Sequence, residues 1–185
     1  MKKLLTTSIL YTVITAVLLG IVYPLAVTGI ARLLYPRQAA GSLITKNDQL
    51  IGSTLIGQAF TGASYFHSRP SAAGTGYDAG SSSGSNLAPT SKALITRVDA
   101  SVASEKTAAP VPVDLVTTSG SGLDPDITPA AALYQAPRIA AQRHLSEAVV
   151  EDLVKQHITP RQFGLLGEPR VNVLQLNLAL DGLGH

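Results

Sequence analysis

Gly80-Ser81-Ser82-Ser83-Gly84 carries the letters of the G-x-S-x-G nucleophile elbow, where a serine hydroxyl is held exposed on a strained turn for activation by a neighbouring base. Such a turn must join a buried strand to a helix. The preceding Gly76-Tyr77-Asp78-Ala79 supplies no apolar strand, so a signal-anchored extracytoplasmic serine hydrolase using Ser82 stands only as the alternative reading. His67, His144, His157 and His185 show no spacing that would set two imidazoles on one metal ion, and each reads as a surface or loop histidine. Asp124-Pro125-Asp126 places two carboxylates in a turn ahead of Thr128, where turn and cap chemistry accounts for them better than a cation site does. The sequence has no G-x-x-x-x-G-K-[ST] loop to cradle phosphates, no S-x-x-K and no H-E-x-x-H. With no Cys there is no disulfide, thiol nucleophile or thiolate metal site.

The elements that would carry these residues divide sharply by charge. The chain has 185 residues, enough for one domain and too few for a whole ATPase, and only 14% of them are charged where about 25% is usual. The shortfall lies in residues 4–31, which hold no charge, whereas residues 36–185 hold 11 Lys/Arg against all 12 Asp/Glu. The basic balance therefore belongs to Lys2, Lys3 and Arg32, and nothing in it points to nucleic acid. As helix, 28 uncharged residues span about 42 Å, more than the roughly 30 Å hydrocarbon core. This run is about twice the apolar length of a removable signal, so residues 1–35 are expected to form a retained single transmembrane helix in contact with lipid.

Lys2 and Lys3 at one end face Arg32, Arg37 and Lys46 at the other, so the Lys/Arg tally does not decide orientation; the short basic start favours a cytoplasmic N-terminus. Every fourth residue of the span reads Ser8, Thr12, Ala16, Gly20, Pro24 and Thr28. Lipid gives apolar helices no hydrophobic reason to associate, so close backbone approach along such a small row is what joins them. Small residues are 12 of the 28, and chance supplies part of this row, but its unbroken run is read as a helix-packing face at Thr12, Ala16, Gly20, Pro24 and Thr28. Pro24 should kink the span.

Residues 36–185 are expected to form an extracytoplasmic α+β (mixed α/β) domain. Two short strands flank the polar turn Lys46-Asn47-Asp48-Gln49. Residues 71–86 hold 9 Gly or Ser in 16, and composition leaves a flexible linker and an ordered loop equally open. A helix should follow Thr90 or Ser91 through Leu94, Ile95, Val98 and Val102, and Val111-Pro112-Val113-Asp114-Leu115-Val116 reads as a strand. Thr128 should cap a helix with Pro129 in its first position and an interruption at Pro137, and Ser146 should cap another through Val149, Val150, Leu153 and Val154. Val171-Asn172-Val173-Leu174-Gln175-Leu176 reads as a strand or a strand-to-helix junction.

Five blocks then occur in order after the span. They are Ser64-Tyr65-Phe66-His67-Ser68-Arg69-Pro70-Ser71, Ser83-Gly84-Ser85-Asn86-Leu87-Ala88-Pro89-Thr90, Val111 to Val116, Ser119-Gly120-Ser121-Gly122-Leu123-Asp124-Pro125, and Val171 to Asp181. In this arrangement the chain closely resembles the C subunit of the bacterial potassium-transporting ATPase, the KdpC family, from Val27-Thr28-Gly29 to Asp181, with Ala88 where the pattern has Gly. The resemblance implies a non-catalytic accessory subunit of an ATP-driven, high-affinity potassium uptake pump, single-pass in the bacterial inner (plasma) membrane. Its implied partners are a catalytic P-type ATPase subunit, a channel-like potassium-binding subunit and a small hydrophobic subunit. No catalytic residue or directly bound cofactor is implied, since ATP and potassium are handled by the complex. It further implies a role in assembly and a rise in the ATP affinity of the catalytic subunit, although ATP is cytoplasmic and the domain is placed outside. Residues of the motif blocks that the resemblance marks as candidates for subunit contacts are His67, Arg69, Pro70, Ser85, Asn86, Asp114, Ser119, Gly120 and Asp124. Leu145-Ser146-Glu147-Ala148-Val149 lacks the glycines and Gln of the LSGGQ nucleotide signature, and Ser146 reads as a helix cap.

Overall fold

The structure, a computed structural model, describes residues 1–105, 107 and 109–183. The chain forms two compact units, Met1–Ser53 and Thr54–His185. In the first, α1 (Lys2–Val17), a π-helical turn (Leu18–Val22) and α2 (Tyr23–Leu34) make one helical run of 33 residues. Among the described residues it is the one helix long and apolar enough to cross a membrane. Pro24 has no N–H, and its ring crowds the carbonyl four residues back, at Gly20. The backbone widens just before it, and the Tyr23 N–H donates to the Leu18 carbonyl, five residues back. The expected disturbance at Pro24 thus takes the form of a wide turn that keeps the helix continuous. Thr6, Ser8, Thr12 and Thr15 donate their hydroxyls to carbonyls four residues back at 3.0, 2.8, 2.8 and 2.8 Å, which removes unsatisfied donors from an apolar helix.

A short α3 (Pro36–Ala39) precedes the hairpin of β1 (Leu43–Lys46) and β2 (Gln49–Ser53). Asn47 and Asp48 take positive φ of 52° and 60°, the two-residue turn whose twist matches paired strands.

In the second unit the core lies among three helices and a small sheet. α4 (Lys92–Glu105) has no buried residue; α5 (Pro129–Arg143), α6 (Glu147–Gln156) and α7 (Val173–Gly182) supply most of the core. The strands β3 (Asp126–Ile127), β4 (Ile158–Thr159) and β5 (Arg170–Asn172) pair antiparallel in the order β3-β5-β4, with Val171 fully buried in the centre. Thr128 Oγ accepts the Ala131 N–H and Pro129 opens α5, as its sequence anticipates. Ser146 takes the N-cap position of α6 without a side-chain cap bond. Asn172 accepts the Gln175 N–H where β5 passes into α7, so Val171 to Leu176 is a strand-to-helix junction.

Two expectations change. Val111 to Val116 forms no strand: Pro112 cannot donate to a ladder, and Val113–Leu115 closes into a 3-10 turn that buries Leu115 and leaves Val113 outside. Nor does Pro137 interrupt α5. It is exposed, so the Leu133 carbonyl it cannot serve lies toward the solvent side, while Ala131, Ala132, Gln135, Ala136, Ile139 and Ala140 hold the opposite face in the core. Residues 71–86 are an ordered loop. Ser71 Oγ donates to the Gly122 carbonyl at 2.6 Å and accepts the N–H groups of Ala73 and Tyr77, and the Tyr77 hydroxyl donates to the Arg69 carbonyl at 2.6 Å. At Gly122, with φ of 67°, a Cβ would sit 2.5 Å from the Ser83 carbonyl oxygen, so only glycine lets the two loops meet.

The coil around Phe66 packs on α5 and α7 outside any strand. Asn177 takes the place of one: its Oδ1 accepts the Phe66 N–H at 2.8 Å and its Nδ2 donates to the Phe66 carbonyl at 2.9 Å. Gln135 does the same for His67, at 2.7 and 3.2 Å. Arg138 donates to the Ala63 and Tyr65 carbonyls, and Arg143 to Ser64 at 2.8 Å, with its guanidinium 4.7 Å from the centre of the Tyr65 ring. Asn177→Ala is expected to leave both backbone groups of a fully buried residue unpaired and to cost about 2–4 kcal/mol. Gln135→Ala should cost less, about 1–2 kcal/mol, because His67 is only half-buried and water can replace the amide. Denaturant unfolding of the full chain in detergent measures both, and equal or negligible losses would contradict the clamp.

Candidate functional site

Arg69, from the coil after the Phe66 segment, spreads its guanidinium over the turn before β3: it donates to Asp124 Oδ2 at 3.3 Å, to the Thr117 and Thr118 carbonyls at 3.4 and 3.3 Å, and to Thr117 Oγ1 at 3.4 Å. Asp124 Oδ1 accepts the Asp126 N–H, the turn chemistry its spacing suggests. Asp114 accepts the Thr128 N–H at 2.7 Å and so anchors the 3-10 turn to the start of α5. Arg69, Asp114, Asp124, Asp126, Glu168 and Arg170 line a cavity of about 230 Å³. Arg170 pairs with Asp126 at 3.0 Å, and burial pushes the Asp126 carboxyl up, partly opposed by Asn172 and Arg170. Each carboxylate already holds a cation or an N–H. Among the described residues no cluster of three or more His, Asp or Glu is placed to hold a metal ion.

His67 lies elsewhere, between α4 and α5. Its Nδ1 is 3.1 Å from Glu105 Oε1 and its Nε2 is 3.1 Å from the Gly62 carbonyl. The His67 hydrogen bond holds the Glu105 carboxyl below the usual carboxylate range, against the opposing effect of burial, with the charges of His67 and Arg138 adding to the lowering. Tyr134 donates its hydroxyl to the Glu105 carbonyl at 2.8 Å, so this corner ties the end of α4, a helix without buried residues, to α5.

Ser119 Oγ accepts the Gly122 N–H at 2.9 Å. A Cβ on Gly84 would lie 3.1 Å from the Gly120 carbonyl oxygen, so the loops bearing Ser85, Asn86, Ser119 and Gly120 approach closely. Asn86 takes a left-handed φ of 52°, and Pro70 is half-buried. Ser82 sits in coil with its Oγ donating to the Ser121 carbonyl at 3.0 Å; no strand leads into it, so the elbow is not formed. His144 ends α5 in the left-handed conformation, His157 Nδ1 donates to the Leu153 carbonyl at 2.8 Å, and His185 lies outside the described residues. In the span, Thr12 bonds back to Ser8, and a Cβ on Gly20 would have nothing within 4 Å beyond the backbone of its own helical turn.

Arg69, Asp114 and Asp124 are thus brought to one cavity, and the other motif residues are not. Sequence reasoning missed Gln135, Arg138, Arg143 and Asn177. Its available signal was a polar residue on an otherwise apolar helix face, as Asn177 is among Val173, Leu176 and Leu180.

Because the Glu105 carboxyl is held below its unfolded range, the stability it contributes is full above that range and is lost as pH falls through the lowered value. Glu105→Gln is expected to reduce stability at neutral pH by about 0.5–1 kcal/mol, a figure discounted for partial exposure. Unfolding measured from pH 7 to pH 3 should show the variant and the parent converging in acid; a constant gap would contradict the His67–Glu105 pair.

The family model for the c chain of K+-transporting ATPases matches residues 5–182. The chain is 66% identical over 178 residues to the potassium-transporting ATPase KdpC subunit of Acidobacterium capsulatum, covering 96% of this chain and 97% of that one. It is 55% identical over 185 residues to that of Koribacter versatilis, at 98% and 96% coverage, and 56% identical over 181 residues to that of Methylobacterium nodulans, at 90% of each. A match running from within the apolar helix to the end of α7 takes in every motif block placed above, and on that ground the chain belongs to the KdpC family of potassium-transporting ATPase subunits.

Proposed function

We propose that this chain is a non-catalytic accessory subunit that assembles and stabilises a potassium uptake pump. The observation that supports it best is the use of the polar motif residues: Arg69, Asp114, Asp124 and His67 each hold another part of the same domain, as a scaffold requires, while the Ser82 hydroxyl donates to a backbone carbonyl and not to a base. In this reading ATP hydrolysis belongs to a catalytic P-type partner and conduction to a channel-like partner, with a small hydrophobic subunit beside them. The chain itself binds no cofactor. Lys2 and Lys3 remain in the cytoplasm and the second unit lies outside the inner membrane, where nucleoside triphosphate is scarce. A rise in the pump's ATP affinity then comes through coupling, with this subunit favouring one conformation of the assembly over another.

The absence of Cys permits a direct test of orientation. Single cysteines at exposed Ser81 and Lys155 are expected to react with a membrane-impermeant maleimide in intact cells, after outer-membrane permeabilisation if one is present. Protection at both until the inner membrane is broken would reverse the topology and revive direct nucleotide contact.

The span is proposed to meet another helix along Thr12, Ala16, Gly20, Pro24 and Thr28. An i+4 row drifts by about 40° per step on an α-helix. The wide turn at Leu18–Val22 rotates less per residue and reduces that drift where Gly20 lies. Ala16→Leu with Gly20→Leu should lower the yield and thermal stability of the detergent-solubilised complex several-fold and by several degrees, respectively. An intact and equally stable complex would remove the packing face.

A further inference from the structure

The wide turn at Leu18–Val22 strands one backbone group of the span. In an unbroken α-helix the Leu19 carbonyl would accept the N–H of Tyr23, but here that N–H donates to the Leu18 carbonyl. The five-residue spacing of the turn would next offer Leu19 the N–H of Pro24, and proline has none. The Leu19 carbonyl thus loses both of its intrahelical donors. No hydroxyl of this helix bends back to replace them: the residue one turn on is Tyr23, whose ring carries its hydroxyl away from the backbone, and those of Thr6, Ser8, Thr12 and Thr15 bond carbonyls at or before Thr12. Leu19 lies about 25 Å of helix from Lys2 and about 22 Å from Leu34, so a hydrocarbon layer about 30 Å thick contains it wherever the span settles. An acceptor left unpaired at that depth is costly. The next residue is Gly20, so no side chain there shields the peptide group from a close neighbour.

We infer that the Leu19 carbonyl is a docking point inside the membrane for a serine or threonine hydroxyl on a transmembrane helix of another pump subunit. The inference rests on the accessory-subunit reading. Acyl chains carry no donor, so lipid does not satisfy this group. A lone water needs at least two polar partners, and residues 16–22 offer no polar side chain. A parallel second copy of this chain brings the same apolar residues to that depth, and its Thr15 hydroxyl already donates to Tyr11. The donor therefore comes from a different helix. An Asn or Gln amide would carry in a second N–H pair member and a carbonyl with nothing to bond them, whereas a hydroxyl brings a single donor. Close backbone approach beside a glycine also suits a short side chain.

The test uses the full chain co-expressed with the other subunits and captured through a tag on one of them. Pro24→Ala returns the missing N–H, so the Leu19 carbonyl no longer depends on a partner. Each Ser and Thr in the membrane helices of the other subunits is changed to Ala, once beside the parent chain and once beside Pro24→Ala. One such change should lower capture of the parent chain about three- to tenfold and leave capture of Pro24→Ala unaltered, the non-additivity that a bond to this carbonyl produces. Equal losses in both backgrounds at every position would overturn the inference, as would coupling only to Thr15 or Thr28 of this chain itself. A second measurement does not depend on the variant folding. In the full chain labelled with 13C-carbonyl leucine and 15N-glycine, Leu19-Gly20 is the one Leu-Gly pair within the span. Its carbonyl resonance in lipid should move downfield, to the position of the bonded carbonyls of the same helix, when the unlabelled subunits are added. A resonance that stays in place would overturn the docking point and leave the subunit reading standing. Failure of the parent chain to be captured at all would overturn both.

Discussion

A coil segment laid over helices has no ladder to take up its N–H and C=O groups, and the second unit is organised around that constraint. The sheet is only three strands of two or three residues, and none of them pairs with Phe66. Asn177 of α7 and Gln135 of α5 act as surrogate strand neighbours, each presenting an acceptor and a donor at the spacing of a peptide unit. Because those side chains are 98% and 99% buried, an unpaired peptide there would cost the full desolvation of two groups. Arg138 and Arg143 extend the same solution along the segment, and the arginine at 143 also fixes Asp181 at 2.7 Å. One strand of coil thereby joins α5 to α7.

That arrangement explains the smallness of the core. Ala131, Ala132, Ala136 and Ala140 line the inner face of α5, and small side chains let α6 and the sheet come near enough for Val150, Val154 and Val171 to be fully buried. With so little apolar volume available, specificity of packing falls to polar contacts of fixed geometry. Arg69 on the turn before β3, Asp114 on the first turn of α5 and Ser71 on Gly122 each link parts of the chain separated by 14 to 55 residues.

How far the sequence discloses this depends on the range of the interaction. Features set within a few residues were legible: the Asn47-Asp48 turn, the Thr128-Pro129 start of α5, the junction at Asn172 and the apolar run of the span. Where a local rule met a tertiary one, it failed. Valines around Pro112 look like a strand until the need to bury Leu115 bends them, and Pro137 looks like a helix stop until a buried face on both sides holds α5 together. The order of residues 71–86 was invisible to composition because Gly and Ser give the same letters whether their hydroxyls face water or, as with Ser83 and Ala72, another backbone. The clamp was equally hidden, since Gln135 and Asn177 act on residues 68 and 111 positions away. The motif blocks marked His67, Arg69 and Asp124, but nothing in their letters separated a contact with a partner from a contact within the domain.

The same structure narrows what remains for partners. A side chain that holds its own fold has its best acceptors and donors occupied, and recruiting it for a second contact would loosen the first. His67 is held by Glu105 and Gly62, Arg69 by Asp124 and two threonines, and Asp114 by the head of α5. Such residues give the domain one shape. A rigid shape is itself useful to an accessory subunit: coupling between distant sites requires an element that takes one of two arrangements, and a stiff body attached to it shifts the balance by favouring one. The motif residues provide that stiffness inside the domain, each by a contact between parts of the chain far apart in sequence.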